Sequence, residues 1–188
     1  MTANHSELIN SYIEKLQTCL NSDSMKGVIK LSSAMKNAWE SKKNIYICGN
    51  GGSAGNANHL ANDFTYGVGL NAGIGMRIEA LSSNPSVLTC LANDIGYENI
   101  FSEQIRVKGN EEDLLIVLSG SGNSQNIINA IEMANSMNMS TFAILGYDGG
   151  KSKKIAKEVI HFDVNDMQVS EDMQLIAGHM CMQWLCDS

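Results

Sequence analysis

The sequence predicts an α/β protein: a parallel sheet covered by helices on both faces. Three observations carry this prediction. Residues 45–48, 114–118 and 141–145 are short, almost continuously apolar runs, the pattern of strands buried on both sides. Stretches of helical periodicity separate them, and strand–helix alternation is the signature of parallel layers. Two of the runs stop at glycine- and serine-rich loops, GNGGS at 49–53 and SGSGNS at 119–124. In open parallel sheets ligands bind off the carboxyl ends of strands, so these loops are the first places to look for a site.

The elements follow in order. Leu8, Ile9, Tyr12, Ile13 and Leu16 have helical spacing, and so do Val28, Ile29, Leu31, Met35, Ala38 and Trp39. Both helices precede any strand, so their apolar faces need a cover, and a partner subunit is one option. Strand 45–48 runs into a helix over 54–64. Residues 77–81 form the next strand. Ser82, Ser83 and Asn84 offer N-cap side chains and Pro85 suits a first turn, which predicts a helix over 85–91. Strand 114–118, helix 125–137, strand 141–145, strand 159–164 and a last helix over 169–185 complete the chain.

Composition excludes several functions. One domain is expected from 188 residues, and 44% hydrophobic against 18% charged residues argues against disorder. Thirteen basic against twenty acidic residues leave a net charge of −7, with Arg77 and Arg106 the only arginines. Such a balance supplies no phosphate-neutralising face, so nucleic acid is not an expected partner. No apolar stretch is long enough to cross a bilayer, so no membrane partner is expected either. The first residues lack the basic and apolar regions of a signal peptide, which points to the cytoplasm. Five scattered cysteines without a CxxC pair read as reduced thiols.

The loop after the first strand formally matches the dinucleotide fingerprint GxGxxA, but the acidic residue about 20 positions later is missing. A small-anion loop is the better account, with backbone N–H groups at a helix start and Asn50 and Ser53 adding hydrogen bonds. The second loop is more specific: its glycines let the backbone approach a phosphate, and Ser119, Ser121 and Ser124 can donate to it. A Walker A-like ending at Gly150-Lys151-Ser152 fails because Leu145 stands where the first glycine belongs.

A polar cluster stands out beside the loops. His59 and Asp63 are four apart on one helix face. Glu171 and His179 are eight apart on the last helix, about 80° around its axis. Two imidazoles and two carboxylates suit zinc or a similar divalent metal. Asn93-Asp94, before Gly96, reads either as a turn or as a holder of sugar hydroxyls.

CGNGGSAGNANHLANDF at 48–64, LANDIGYENIFSEQ at 91–104, LSGSGNSQN at 118–126 and LGYDGGK at 145–151, with the Glu171–His179 helix, resemble the sugar isomerase (SIS) domain family and its phosphoheptose isomerases. The resemblance implies a flavodoxin-like three-layer α/β/α sandwich with two N-terminal helices, assembled as a homotetramer. Residues 1–43 would then form an oligomerising helical pair and 44–188 the SIS domain. It implies aldose–ketose isomerisation of a phosphorylated sugar through a cis-enediol. Ser53, Ser119, Ser121 and Ser124 match the phosphate site, with Gly120 in the same loop, and Asn50, Gly51, Gly52, Asn93 and Asp94 match substrate contacts. His59 matches a metal ligand and His179 a catalytic histidine near the metal. The family's catalytic glutamate is Asp63 here, its glutamine eight before the last histidine is Glu171, and a substrate-binding arginine is replaced by Gly67. The expected assignment makes Asp63 the base and puts a divalent metal, zinc, on His59, Asp63, Glu171 and His179, with Glu171 also a substrate contact. A non-catalytic SIS module that binds a phosphosugar or a partner protein is the alternative.

Overall fold

The computed structural model describes residues 4–187. Five strands form one sheet: β1 (Ile45–Gly49), β2 (Ile78–Ala80), β3 (Leu114–Ser119), β4 (Ser140–Leu145) and β5 (Glu158–His161). All neighbours run parallel in the order β2-β1-β3-β4-β5. From β1 the chain builds outward to β2, then returns to lay β3 on the other side. The switch point therefore lies between β1 and β3, where Ile45 to Gly49 pair with Leu114 to Leu118.

Alternate residues of a strand face opposite sides. Ile45, Ile47, Ile116 and Phe142 enter one core, and Tyr46, Cys48, Leu115 and Val117 enter the other. Both layers must be filled, and this explains the continuously apolar runs. The first core is covered by α1 (His5–Leu20), α2 (Lys26–Glu40), α3 (Gly52–Asn62) and α9 (Met167–Cys186). The second lies under α5 (Pro85–Ile95), α6 (Ser102–Lys108) and α7 (Gln125–Ser136). Short helices α4 (Gly69–Ala72) and α8 (Ser152–Ile155) complete the set. The three-layer α/β/α class with its parallel sheet agrees with the sequence reading. Cys48 is fully buried and desolvation pushes its thiol far up, so it is a packing residue.

Some boundaries differ from the sequence reading. The helix predicted over 54–64 starts earlier and ends in a π-helical turn, Asp63–Gly67. α5 runs on to Ile95 because Gly96, with φ of 93°, is the first residue able to leave it, so Asn93 and Asp94 sit in its last turn and do not follow it. β5 ends at His161, although Phe162 and Val164 remain buried beyond the ladder. α6 carries no apolar periodicity in the sequence, because its seven residues bury little apolar surface besides Ile105.

α1 is tied down along one side. The Tyr12 hydroxyl donates to Asp172 at 2.5 Å, and Lys15 pairs with Asp166 at 2.8 Å, both on or capping α9. Leu8, Ile9 and Ile13 of α1 and Ile29 of α2 stay exposed. Among the described residues no helix is long and apolar enough to cross a membrane.

Candidate active site

At the switch point the loops after β1 and β3 and the start of α9 enclose a pocket of about 270 Å³. A larger apolar cleft of about 680 Å³ lies near Lys42 and Arg77, which precede β1 and β2, at the amino ends of the strands. The smaller pocket is the better site, because its walls carry anion-binding groups.

Its first wall is the turn into α3. Gly51 has φ of 55° and ψ of −121°, a conformation that requires glycine, and it lets the chain double from strand into helix. In the first turn of α3 the Ala54 N–H already reaches the Asn50 and Gly51 carbonyls, which leaves the N–H groups of Gly52 and Ser53 ahead of the helical ladder, where the helix dipole favours an anion. Its second wall is the loop after β3. The buried Ser119 hydroxyl accepts from Gly122 N–H at 3.0 Å, and Ser121 accepts from Asn123 N–H at 3.3 Å. Ser124 caps α7 by position, but its side chain makes no cap bond, so this hydroxyl is available to a ligand. Ser119 therefore braces the loop, whereas Ser124 faces the pocket uncommitted. Gly120 and Ser53 line the same pocket.

Asn50 lines the pocket too, but its amide is already engaged. It exchanges two hydrogen bonds with the Asn126 side chain, at 2.9 and 2.8 Å, and accepts a third from the Tyr97 hydroxyl at 2.9 Å. The pair locks the two loops together. Asn126 belongs to the SGSGNSQN run, yet nothing in its spacing revealed a partner 76 residues away.

The second group lies on α3 and α9. His59 Nε2 and His179 Nε2 are 2.9 Å apart, and Asp63 Oδ2 is 3.4 Å from the first and 3.7 Å from the second. These three residues are the described group able to hold a metal ion, with ligand atoms all within 4.8 Å of one another. Tetrahedral zinc with bonds of about 2.0–2.1 Å needs ligand atoms about 3.3 Å apart, so the spacing fits. Gly178 makes the meeting of the helices possible: a β-carbon there would overlap the buried Leu60 side chain, next to His59.

Glu171 stands apart from that trio. Its carboxylate lies over Gly52, where any β-carbon would overlap it, and it lines the loop pocket. Asn93 and Asp94 are exposed and bond to each other, the Asn93 amide donating to Asp94 at 2.8 Å, and they are not among the pocket's lining residues. Gly67 packs on Met182, leaving no room for a long side chain unless Met182 moves.

The SIS domain model matches residues 10–146. A phosphoheptose isomerase from Helicobacter pylori strain P12 is 36% identical over 183 residues, covering 97% of this chain and 88% of the relative. One from Akkermansia muciniphila is 40% identical over 136 residues, covering 72% and 71%. The structure of phosphoheptose isomerase from Neisseria gonorrhoeae superposes with a TM-score of 0.90 at 26% identity, covering 97% of both chains.

Proposed function

We infer the function from one premise: the chain belongs to the SIS domain family and, within it, to the phosphoheptose isomerases. It is an aldose–ketose isomerase, and the reaction that fits is sedoheptulose 7-phosphate to glycero-manno-heptose 7-phosphate. The observation that carries this reading is the pairing of a serine-rich anion pocket at the switch point with a His–Asp–His group on the two adjoining helices.

The residues divide the work. Ser121, Ser124 and the first turn of α3 bind the phosphate, and Ser53, Gly51 and Gly52 shape the same wall. Anchoring the phosphate lowers the entropy cost of aligning the far end of the sugar. His59, Asp63 and His179 would hold a divalent metal, zinc by their chemistry, which supplies Lewis acidity toward the carbonyl oxygen. His179, half exposed at the edge of that group, is also placed to exchange a proton with a sugar oxygen. Asn93 and Asp94, at the end of α5, are assigned to sugar hydroxyls beyond the pocket. The reading places the protein in the cytoplasm, where phosphorylated sugars are retained.

The decisive assay incubates the purified protein with five- to seven-carbon ketose phosphates, with and without zinc. Turnover of the seven-carbon substrate supports the reading. Tight phosphosugar binding with no turnover of any substrate would favour the binding-module alternative. Ser124→Ala should weaken phosphosugar binding by roughly tenfold or more, the cost of one hydrogen bond to a charged acceptor. Calorimetry checks this, and unchanged affinity would remove Ser124 from the phosphate site.

A homotetramer is part of the same proposal. Leu8, Ile9, Ile13 and Ile29 are 45–70% exposed on the two N-terminal helices, apolar surface that a second subunit would cover. Light scattering should give about four times the chain mass, in line with symmetric closure. A clean monomer would leave those faces without the proposed cover.

A further inference from the structure

We propose that Tyr12 and Lys15 of α1 are positioning residues for the reaction: they set the register of α9, the helix on which both halves of the site depend. This rests on the isomerase reading and extends it to residues outside the site. Met167 and Glu171, at the start of α9, line the anion pocket, and His179 belongs to the His–Asp–His group. The stretch from Glu171 to His179 spans about 12 Å of helix, so a slide or tilt of the first turn displaces α9 from its partners in both halves at once. Tyr12 and Lys15 themselves neither line the pocket nor belong to the His–Asp–His group.

Little on the inner side fixes that first turn. Met167, Ser170 and Glu171 lie over Gly120, Gly146 and Gly52, in the turns that follow β3, β4 and β1, and a β-carbon on any of these glycines would overlap them. Such contacts let the helix come close but hold nothing in register. Val169, Met173 and Ala177 are buried in the first core, yet apolar packing is non-directional. Directional bonds come from few residues. Asn56 of α3 donates to the Glu171 carbonyl and to the Gln174 side chain, both at 3.0 Å. Among the described residues, the other side-chain bonds from outside α9 to residues 166–174 are those of Tyr12 and Lys15. These two are three apart on one face of α1. Lys15 pairs at 2.8 Å with Asp166, which caps α9, and the Tyr12 hydroxyl donates at 2.5 Å to Asp172, in the next turn. Each bond has a carboxylate acceptor and is of the stronger, charge-assisted kind. Lys15 holds the Asp166 carboxyl below its usual range, while burial and then Asp172 push the Tyr12 hydroxyl up to about 12, so Tyr12 remains a donor at neutral pH.

The test compares zinc-loaded wild type with Tyr12→Phe, Lys15→Met and the double variant in steady-state turnover of sedoheptulose 7-phosphate. The loops after β1 and β3 still bind phosphate, and two of the three metal-group residues stay on or just after α3, so binding should survive while alignment fails. A misplacement of roughly 1 Å costs about 100-fold, so kcat of the double variant should fall by about that factor with KM within about threefold. Lys15→Arg restores the ion pair and should recover most of what Lys15→Met loses. A purely structural role would lower Tm and leave kcat of the folded protein unchanged, and that result would overturn the proposal. So would a rise in KM with kcat intact, or loss of turnover only together with loss of the wild-type oligomer in light scattering, which would assign the two bonds to subunit contact. Amide hydrogen exchange over residues 167–175 is read without substrate. It should speed up in the double variant while β3 stays protected, and unchanged exchange would overturn the proposal. If the double variant does not fold by circular dichroism, Tyr12→Phe alone decides, by the same kcat-against-KM split. A wild-type protein that turns over no sugar phosphate would overturn the isomerase reading itself, and hydrogen exchange would still judge the hold of α1 on α9.

Discussion

His179→Gln is expected to lose its metal and its turnover together. The His–Asp–His group spans two helices, with His59 and Asp63 on or just after α3 and His179 alone on α9. Removing His179 leaves two ligands one helical turn apart and nothing opposite them. Loss of a mere outer-shell partner costs about 10–100-fold in metal affinity, so loss of a ligand should cost no less. Zinc measured by mass spectrometry after dialysis should fall to background while wild type keeps one ion per chain. The fold should persist, because the His179 side chain is 47% exposed and fills no core position. Inorganic phosphate affinity should also persist, because the serine loop is built on β3 and α7. Retention of zinc with loss of turnover would move His179 from ligand to direct proton transfer. Retention of both would remove it from the site.

The same two helices explain how far the sequence could be read. The buried strands were legible because each has to feed two cores, and the loops because a strand that ends in glycine and serine has few other uses. The pair at positions 171 and 179 was harder. A spacing of eight leaves about 80° between the two side chains, and the sequence reading sent both to one metal. In the fold that angle separates them: His179 meets His59 across the Gly178–Leu60 contact, while Glu171 turns to Gly52. Only tertiary packing could decide this, because either arrangement satisfies the helical period. The Asn50–Asn126 brace was hidden for a similar reason. Each asparagine sits in a plausible ligand loop, and the reciprocal bond between them depends on β1 and β3 being neighbours. The π-helical turn at Asp63–Gly67 left no mark either, since its apolar spacing continues that of α3.

Gly122→Ala should be among the most damaging single substitutions, although it removes no side-chain function. Gly122 has φ of 65°, where an L-residue pays about 1–2 kcal/mol. A β-carbon there would also collide with the Gly149 backbone carbonyl on the neighbouring loop, which has no flexible side chain to move aside. The loops must separate, breaking the bonds that join them: Ser152 N–H to the Gly122 carbonyl at 3.0 Å and Lys151 N–H to the Asn123 side chain at 3.1 Å. At about 0.5–1.5 kcal/mol for each net hydrogen bond, the total is about 3 kcal/mol or more. For a domain of this size that lowers Tm by roughly 6–12 °C. The same movement would free Gly122 N–H from Ser119 and distort the serine loop, so phosphate affinity should fall with stability. Gly73→Ala is the control: its φ is 83°, but a β-carbon there meets nothing within 4 Å, so it should cost only the backbone contribution. Thermal melts of the two variants, with and without inorganic phosphate, make the comparison. Equal shifts in Tm would mean that the loop after β4 does not hold the anion loop in place, and that the serines keep their geometry by Ser119 and Asn50 alone.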